Sequence, residues 1–152
     1  MKAVLQRVKR ASVEVNGEIV GECGEGLMIL LGVAQGDTEL EADALAKKIL
    51  AHRIFTDENG KMNLSVRDID GEALVISQFT LMANYRHGNR PEFLASAPPS
   101  EANRLYEYFK GLLSKELKHV GSGIFGAHMD VSLVNHGPVT IVMDSDVLLK
   151  KG

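Results

Sequence analysis

The first third of the chain alternates. Over residues 3–10 and 11–15, valine-rich stretches place apolar and polar side chains at alternate positions, the period of strands with one face buried. Asn16-Gly17 follows. Both central positions of a type I′ turn need positive φ, so this pair predicts a tight hairpin, with residues 18–23 as the returning strand. After Gly24-Glu25-Gly26 the pattern changes: Leu27-Met28-Ile29-Leu30-Leu31-Gly32-Val33 has no polar side chain. Such a run predicts a central strand buried on both faces.

The period then becomes helical. Thr38 and Glu41 form a capping box, and Ala42, Leu45, Ala46, Ile49 and Leu50 recur on one face, with helical character fading near Ile54. Asp57-Glu58-Asn59-Gly60 reads as a turn before a short strand over 61–64. Residues 72–81 read as the next strand, with Leu74-Val75-Ile76 as its buried part. Residues 82–99, containing Gly88, Pro91, Pro98 and Pro99, predict a long irregular loop, the kind of segment that is often functional. Ser100 is the expected N-cap of a second helix, whose apolar stripe is Leu105, Tyr106, Phe109, Leu112, Leu113 and Leu117; Gly121-Ser122-Gly123 closes it. Two strands, 129–135 and 139–144, lie on either side of Gly137-Pro138. The expected fold class is therefore α/β: a single compact domain over 1–152, its sheet largely antiparallel or mixed, with two main helices. The core runs to about residue 145 and a short charged tail follows.

Composition narrows the field. A chain of 152 residues, 45% apolar and 24% charged, suits one globular domain. No run reaches the apolar length of a membrane span, and Lys2, Arg7, Lys9 and Arg10 precede no apolar core, so a secretory leader is not expected. A lone cysteine, Cys23, fits a reducing cytosol, hence a cytoplasmic protein. Trp is absent and aromatics are 5%, which leaves little for a broad base-stacking surface. The net charge of −3 argues against charge-driven wrapping of nucleic acid, though not against gripping an RNA end. Basic residues gather at Lys2, Arg7, Lys9 and Arg10, and again at Arg86, His87 and Arg90; their ordinary reading is a solvated surface.

Most catalytic constellations are missing. Cys23 lies among Glu22 and Glu25, whose charges would raise a thiol's pKa, the wrong direction for a nucleophile. His52, His87, His119, His128 and His136 are scattered without metal-ligand spacing. Gly24-Glu25-Gly26 precedes a strand rather than a helix, and no Gly-x-Ser-x-Gly elbow occurs. Two motifs remain. Ser77-Gln78-Phe79-Thr80-Leu81 is the polar end of an apolar strand. It is either a strand end with satisfied hydroxyls and a core phenylalanine, or a place where backbone N–H groups face a developing oxyanion. Thr80 is a candidate nucleophile, but no base is evident near it in sequence. Asn135-His136-Gly137-Pro138-Val139-Thr140 puts a proline between two strands, which marks a turn, an edge or a cis bond.

Together these motifs resemble those of the D-aminoacyl-tRNA deacylases, and the resemblance extends from Met1-Lys2-Ala3-Val4-Leu5-Gln6-Arg7-Val8 to about Ser145. It implies a barrel-like sheet and an ester hydrolase that releases D-amino acids, and glycine mischarged on tRNA-Ala, from the tRNA 3′ end. Carried over, Ser77, Gln78, Phe79 and Thr80 form the catalytic segment, with the ribose 2′-hydroxyl of the RNA enlisted in place of a protein base. Asn135, Gly137 and Pro138 bind substrate. A cis Gly137-Pro138 would enter the other subunit's site in a homodimer and exclude L side chains sterically, while Arg7 braces it. Gly88-Asn89-Arg90-Pro91-Glu92-Phe93 would border the RNA entrance. The sequence departs from the family over 82–87, where an acidic residue is common near Asn84, and at His136, a position often acidic or amide. No metal, organic cofactor, membrane or DNA partner is implied. Two other readings stay open: a small-molecule esterase or amidase using Thr80 or Ser77, and a non-catalytic RNA-end-binding module.

Overall fold

The alternating opening folds as one strand rather than two. In the computed structural model, which describes residues 1–149, β1 spans Lys2–Val15. One of its edges pairs along its whole length with β8, Asp130–Asp144, from Lys2 opposite Asp144 to Glu14 opposite Asp130. The other edge changes partner midway. Lys2 to Val8 pair antiparallel with β3, Gly26–Gly32, and Ala11 to Val15 pair with β2, Glu18–Cys23. Register shifts against β8 between Val8 and Ala11 let the strand bend there without ending. The hairpin turn is as expected: Asn16 and Gly17 have φ of 50° and 82°.

Beyond β3 the sheet is parallel. β6, Glu72–Ser77, lies beside β3, and β7, Val120–Ser122, lies beside β6. Parallel neighbours need crossovers. The first contains α1, Glu39–Ala51, and the small hairpin of β4, Phe55–Thr56, with β5, Met62–Leu64; the second contains α2, Pro99–Ser114. The far edge then curls back onto β2. A Cβ on Gly21 would sit 2.1 Å from the Ser122 backbone oxygen, and one on Gly121 would sit 2.5 Å from that of Glu22. Only two bare backbones can cross so closely, and the crossing nearly closes the six-stranded sheet into a barrel.

β3 is buried on both faces, as its unbroken apolar run requires. Leu27, Ile29 and Leu31 face α1 and α2, meeting Leu45, Ile49, Leu105 and Phe109; Met28 faces the barrel interior with Val13, Leu74 and Ile76. The α1 capping box is present: Thr38 Oγ1 accepts from Leu40 N–H at 3.2 Å, and the Glu41 carboxylate accepts from Thr38 N–H at 2.7 Å.

Further expectations are corrected, first among them the two strands 129–135 and 139–144, which are one strand, β8, running through Gly137-Pro138. β6 stops at Ser77, and Phe79–Met82 is a 3-10 turn rather than the end of a strand. α2 is capped by Pro98 and starts at Pro99, not after Ser100, because proline lacks the N–H that a first helical turn leaves unpaired. Gly121-Ser122 belongs to β7, its extended form set by the parallel ladder with β6. Finally, α3, Ser145–Leu149, follows the core where a tail was expected, its Ser145 N–H donating to the Met1 carbonyl at 2.9 Å. The last residues of that expected tail, 150–152, lie outside the described ones. No helix among the described residues is long and apolar enough to cross a membrane.

Candidate active site

The end of β6 makes the first half of the site. Ser77 is still in register with Leu31, and Gln78 N–H donates to the Leu31 carbonyl at 2.8 Å before the chain turns. The opening N–H groups of any helix lack an intrahelical acceptor. Here Leu81 N–H donates back to Gln78 at 3.3 Å, which leaves the N–H groups of Phe79 and Thr80 without an acceptor among the described residues. The Gln78 side-chain amide donates a hydrogen bond to Thr80 Oγ1. That hydroxyl is therefore engaged by a donor, not by a base.

A cavity of about 750 Å³ opens beside this turn, lined by Ser77, Gln78 and Phe79 on one side and by Phe125 and Met129 on another. Phe79 is 55% exposed and so not a core residue. It meets Phe93 edge to face, with centroids 5.1 Å apart, and the pair forms an aromatic rim. Phe93 lay within a motif assigned to the entrance. Phe125 and Met129 were missed, because they come from the β7–β8 connection and only the crossover topology carries them here.

The second group of expected residues lies elsewhere on the chain. Asn135 spans a bulge in β8: its Oδ1 accepts from Val139 N–H at 2.9 Å and its Nδ2 donates to Thr140 Oγ1 at 3.0 Å. Between those anchors Gly137 and Pro138 stand exposed, joined by a cis peptide bond. Gly137 has φ of 140°, and a Cβ there would lie 2.8 Å from Val139 Cγ2 and 2.9 Å from Arg7 Nη2. Arg7 is 8% exposed. Its Nε donates to the His136 carbonyl at 2.8 Å, and its Nη1 to the Ile54 carbonyl at 2.8 Å and to Thr56 Oγ1 at 3.3 Å. A planar fork can hold acceptors on two elements in this way; an ammonium cannot.

The two groups do not meet within one chain. Arg7 is in register with Leu27, and Leu27 with Ala73, so Ser77 lies four residues further along β6. From β8 to β6 is three strand intervals, which together with that rise makes roughly 20 Å along the sheet.

Cys23 takes no part. Burial, reinforced by the charges of Glu72 and Glu22, pushes its thiol up to about 11. Glu22 acts as its sequence position suggested, whereas Glu72 is brought in by the fold.

The pattern of the family described as D-Tyr-tRNA(Tyr) deacylase matches residues 4–144, and the chain belongs to that family. Relatives bearing the name D-aminoacyl-tRNA deacylase include those of Caldicellulosiruptor saccharolyticus, 57% identical over 95% of this chain and 97% of the relative, and Persephonella marina, 56% identical over 97% of this chain and the whole relative. A solved structure named c-Myc DNA Unwinding Element Binding Protein superposes with a TM-score of 0.90 at 43% identity, covering 95% of this chain and 98% of that one. A probable eukaryotic D-amino acid tRNA deacylase superposes at 0.78 over 93% of this chain and 97% of that one; at 17% identity it speaks to fold alone.

Proposed function

We propose that the protein hydrolyses the ester joining a D-amino acid, or glycine mischarged on tRNA-Ala, to the 3′ end of tRNA, in the cytoplasm and as a homodimer. The observation that carries this reading is the pair of free N–H groups of Phe79 and Thr80 in the turn whose Phe79 borders the cavity. With the terminal nucleoside in that cavity, the ester carbonyl faces these donors, which stabilise the oxyanion as water adds. One donor of this kind lowers a barrier by about 2.7–4 kcal/mol. Activation of the water falls to the ribose 2′-hydroxyl beside the ester, since the Thr80 hydroxyl is occupied by Gln78.

Selection falls to Gly137 and Pro138. Their exposed backbone, pinned by Asn135 and Arg7, is rigid enough to reject a side chain. It lies too far from Ser77 to act in its own chain, so it serves the site of a second copy. Carbonyls set against the substrate α-carbon leave no room for an L side chain, and glycine has none to clash.

The test is parallel deacylation of D-Tyr-tRNA and L-Tyr-tRNA by purified protein, with sedimentation of the same sample. Loss of the D ester alone from a dimeric species is expected. Binding of tRNA without turnover would replace the reading with an RNA-end-binding module. Cleavage of activated small esters with no dependence on the tRNA would replace it with a small-molecule esterase.

A further inference from the structure

A second cavity lies next to the first. It measures about 680 Å³ and is lined by Lys2, Met82, Asn84, Tyr85, Arg86 and His87. The two share walls: the 3-10 turn borders the site with Phe79 and this groove with Met82, and the following segment borders the site with Leu94 and the groove with Ala95. A polymer whose end occupies the site therefore leaves it across this turn and into the groove.

The groove's chemistry is unusual for an acidic chain. Lys2, Arg86 and Arg90 have no carboxylate partner among the described residues. The nearby acids accept backbone N–H groups rather than these cations. Glu92, whose backbone exchanges hydrogen bonds with Asn84 at 2.8 and 3.0 Å, accepts Leu94 N–H on its carboxylate. Asp144, across the ladder from Lys2, accepts Asp146 N–H. Tyr85 is 82% exposed on a loop braced by Asn84, whose Oδ1 accepts Arg86 N–H at 3.0 Å. An exposed aromatic among unpaired cations suits single-stranded nucleic acid: the cations take phosphates and the ring takes one base face. One tyrosine is a platform for one base, which is consistent with a protein poor in aromatics.

We infer that this groove holds the single-stranded nucleotides immediately 5′ of the acylated one, with Lys2 and Arg86 on their phosphates, Arg90 adding charge from the same loop, and Tyr85 under a base. The inference rests on the deacylase reading and specifies how its RNA is gripped.

Two substrates test it: D-tyrosyl-tRNA, and the D-tyrosyl ester of adenosine, which fills the site alone. For Arg86→Ala/Arg90→Ala and for Tyr85→Ala, KM for the tRNA should rise about ten-fold with kcat unchanged, the scale of one lost base stack or phosphate pair. The adenosine ester should be cleaved as by the parent protein. Removing each phosphate contact should also flatten the dependence of log affinity on log salt by about 0.7. Equal damage to both substrates, or none to the tRNA, would overturn the groove assignment. If the parent protein cleaves neither substrate, the deacylase reading fails. The groove is then decided by binding of a CCA-ended RNA oligonucleotide: loss in the arginine double variant supports it and unchanged binding overturns it.

Discussion

Arg7→Met removes a fork that ties three elements together. The guanidinium donates to the His136 and Ile54 carbonyls at 2.8 Å each and to Thr56 Oγ1 at 3.3 Å, from a residue only 8% exposed. Methionine keeps the volume and loses all three bonds. Two short bonds from a charged donor contribute about 1.5–3 kcal/mol each. Relief of the desolvation of a cation with no salt-bridge partner among the described residues offsets part of that. The expected net loss is about 2–3 kcal/mol. With a urea slope of about 1–3 kcal/mol per molar, the unfolding midpoint should fall by about 0.7–3 M. The His136 carbonyl lies one residue before Gly137, so the projecting backbone loosens as well, and preference for D over L esters should fall in the same variant. Arg7→Lys should recover charge but not the divided geometry, and restore neither measurement fully. A midpoint and a D/L preference both unchanged in Arg7→Met would refute the bracing argument, and full rescue by lysine would refute the part that depends on the fork.

Gly21→Ala forces a methyl to within 2.1 Å of the Ser122 backbone oxygen and should destabilise by about 3 kcal/mol or more; an unchanged melting temperature would mean the strands do not cross there. Cys23, with its thiol pushed up to about 11 from an ordinary 9.0, stays protonated in the folded state while the unfolded chain ionises. Its contribution to stability is therefore complete below about pH 9 and is lost as pH rises toward 11, so urea titrations across that window should decline more steeply for the parent than for Cys23→Ala. Thr80→Ala keeps the backbone donors and should retain substantial turnover; complete loss with intact tRNA binding would make Thr80 the nucleophile.

What was readable in the sequence was what neighbours along the chain decide. Asn16-Gly17 specifies its own turn, Thr38 and Glu41 cap their own helix, and the unbroken apolar run of β3 reports burial on both faces. The misreadings share a different origin. Gly121-Ser122 looks like a turn because its extended form is imposed by β6, distant in sequence, whose Leu74 and Val75 pair with it. Residues 78–81 look like strand because they continue the apolar run of Leu74-Val75-Ile76 with Phe79 and Thr80, residue types common in strands, yet β6 ends where its partner β3 ends. The Pro98-Pro99 signal for a helix start was present and was outcompeted by a more familiar Ser100. The candidate site divides the same way. Ser77 to Thr80, Arg7, Asn135, Gly137 and Pro138 were named from motifs, but periodicity could not reveal that they form two groups on separate parts of the sheet. Nor could it bring Phe125, Met129 or the 82–87 groove to the cavity mouth.

β8 is 15 residues long and pairs with β1 alone among the described residues. An open edge of that length is a template on which strands of other molecules can add, the usual start of aggregation. Pro138 has no N–H to offer such a strand, and the N–H of Val139 is already taken by Asn135. The middle of the strand thus has no N–H at Pro138 and an occupied one at Val139, and the acidic ends, Asp130 and Asp144, repel a like strand laid along it in parallel register. The bulge proposed to present a selective backbone to substrate would also keep a long edge strand from seeding fibres. A chain that lost Pro138 and Asn135 together would have to solve a solubility problem as well as a stereochemical one.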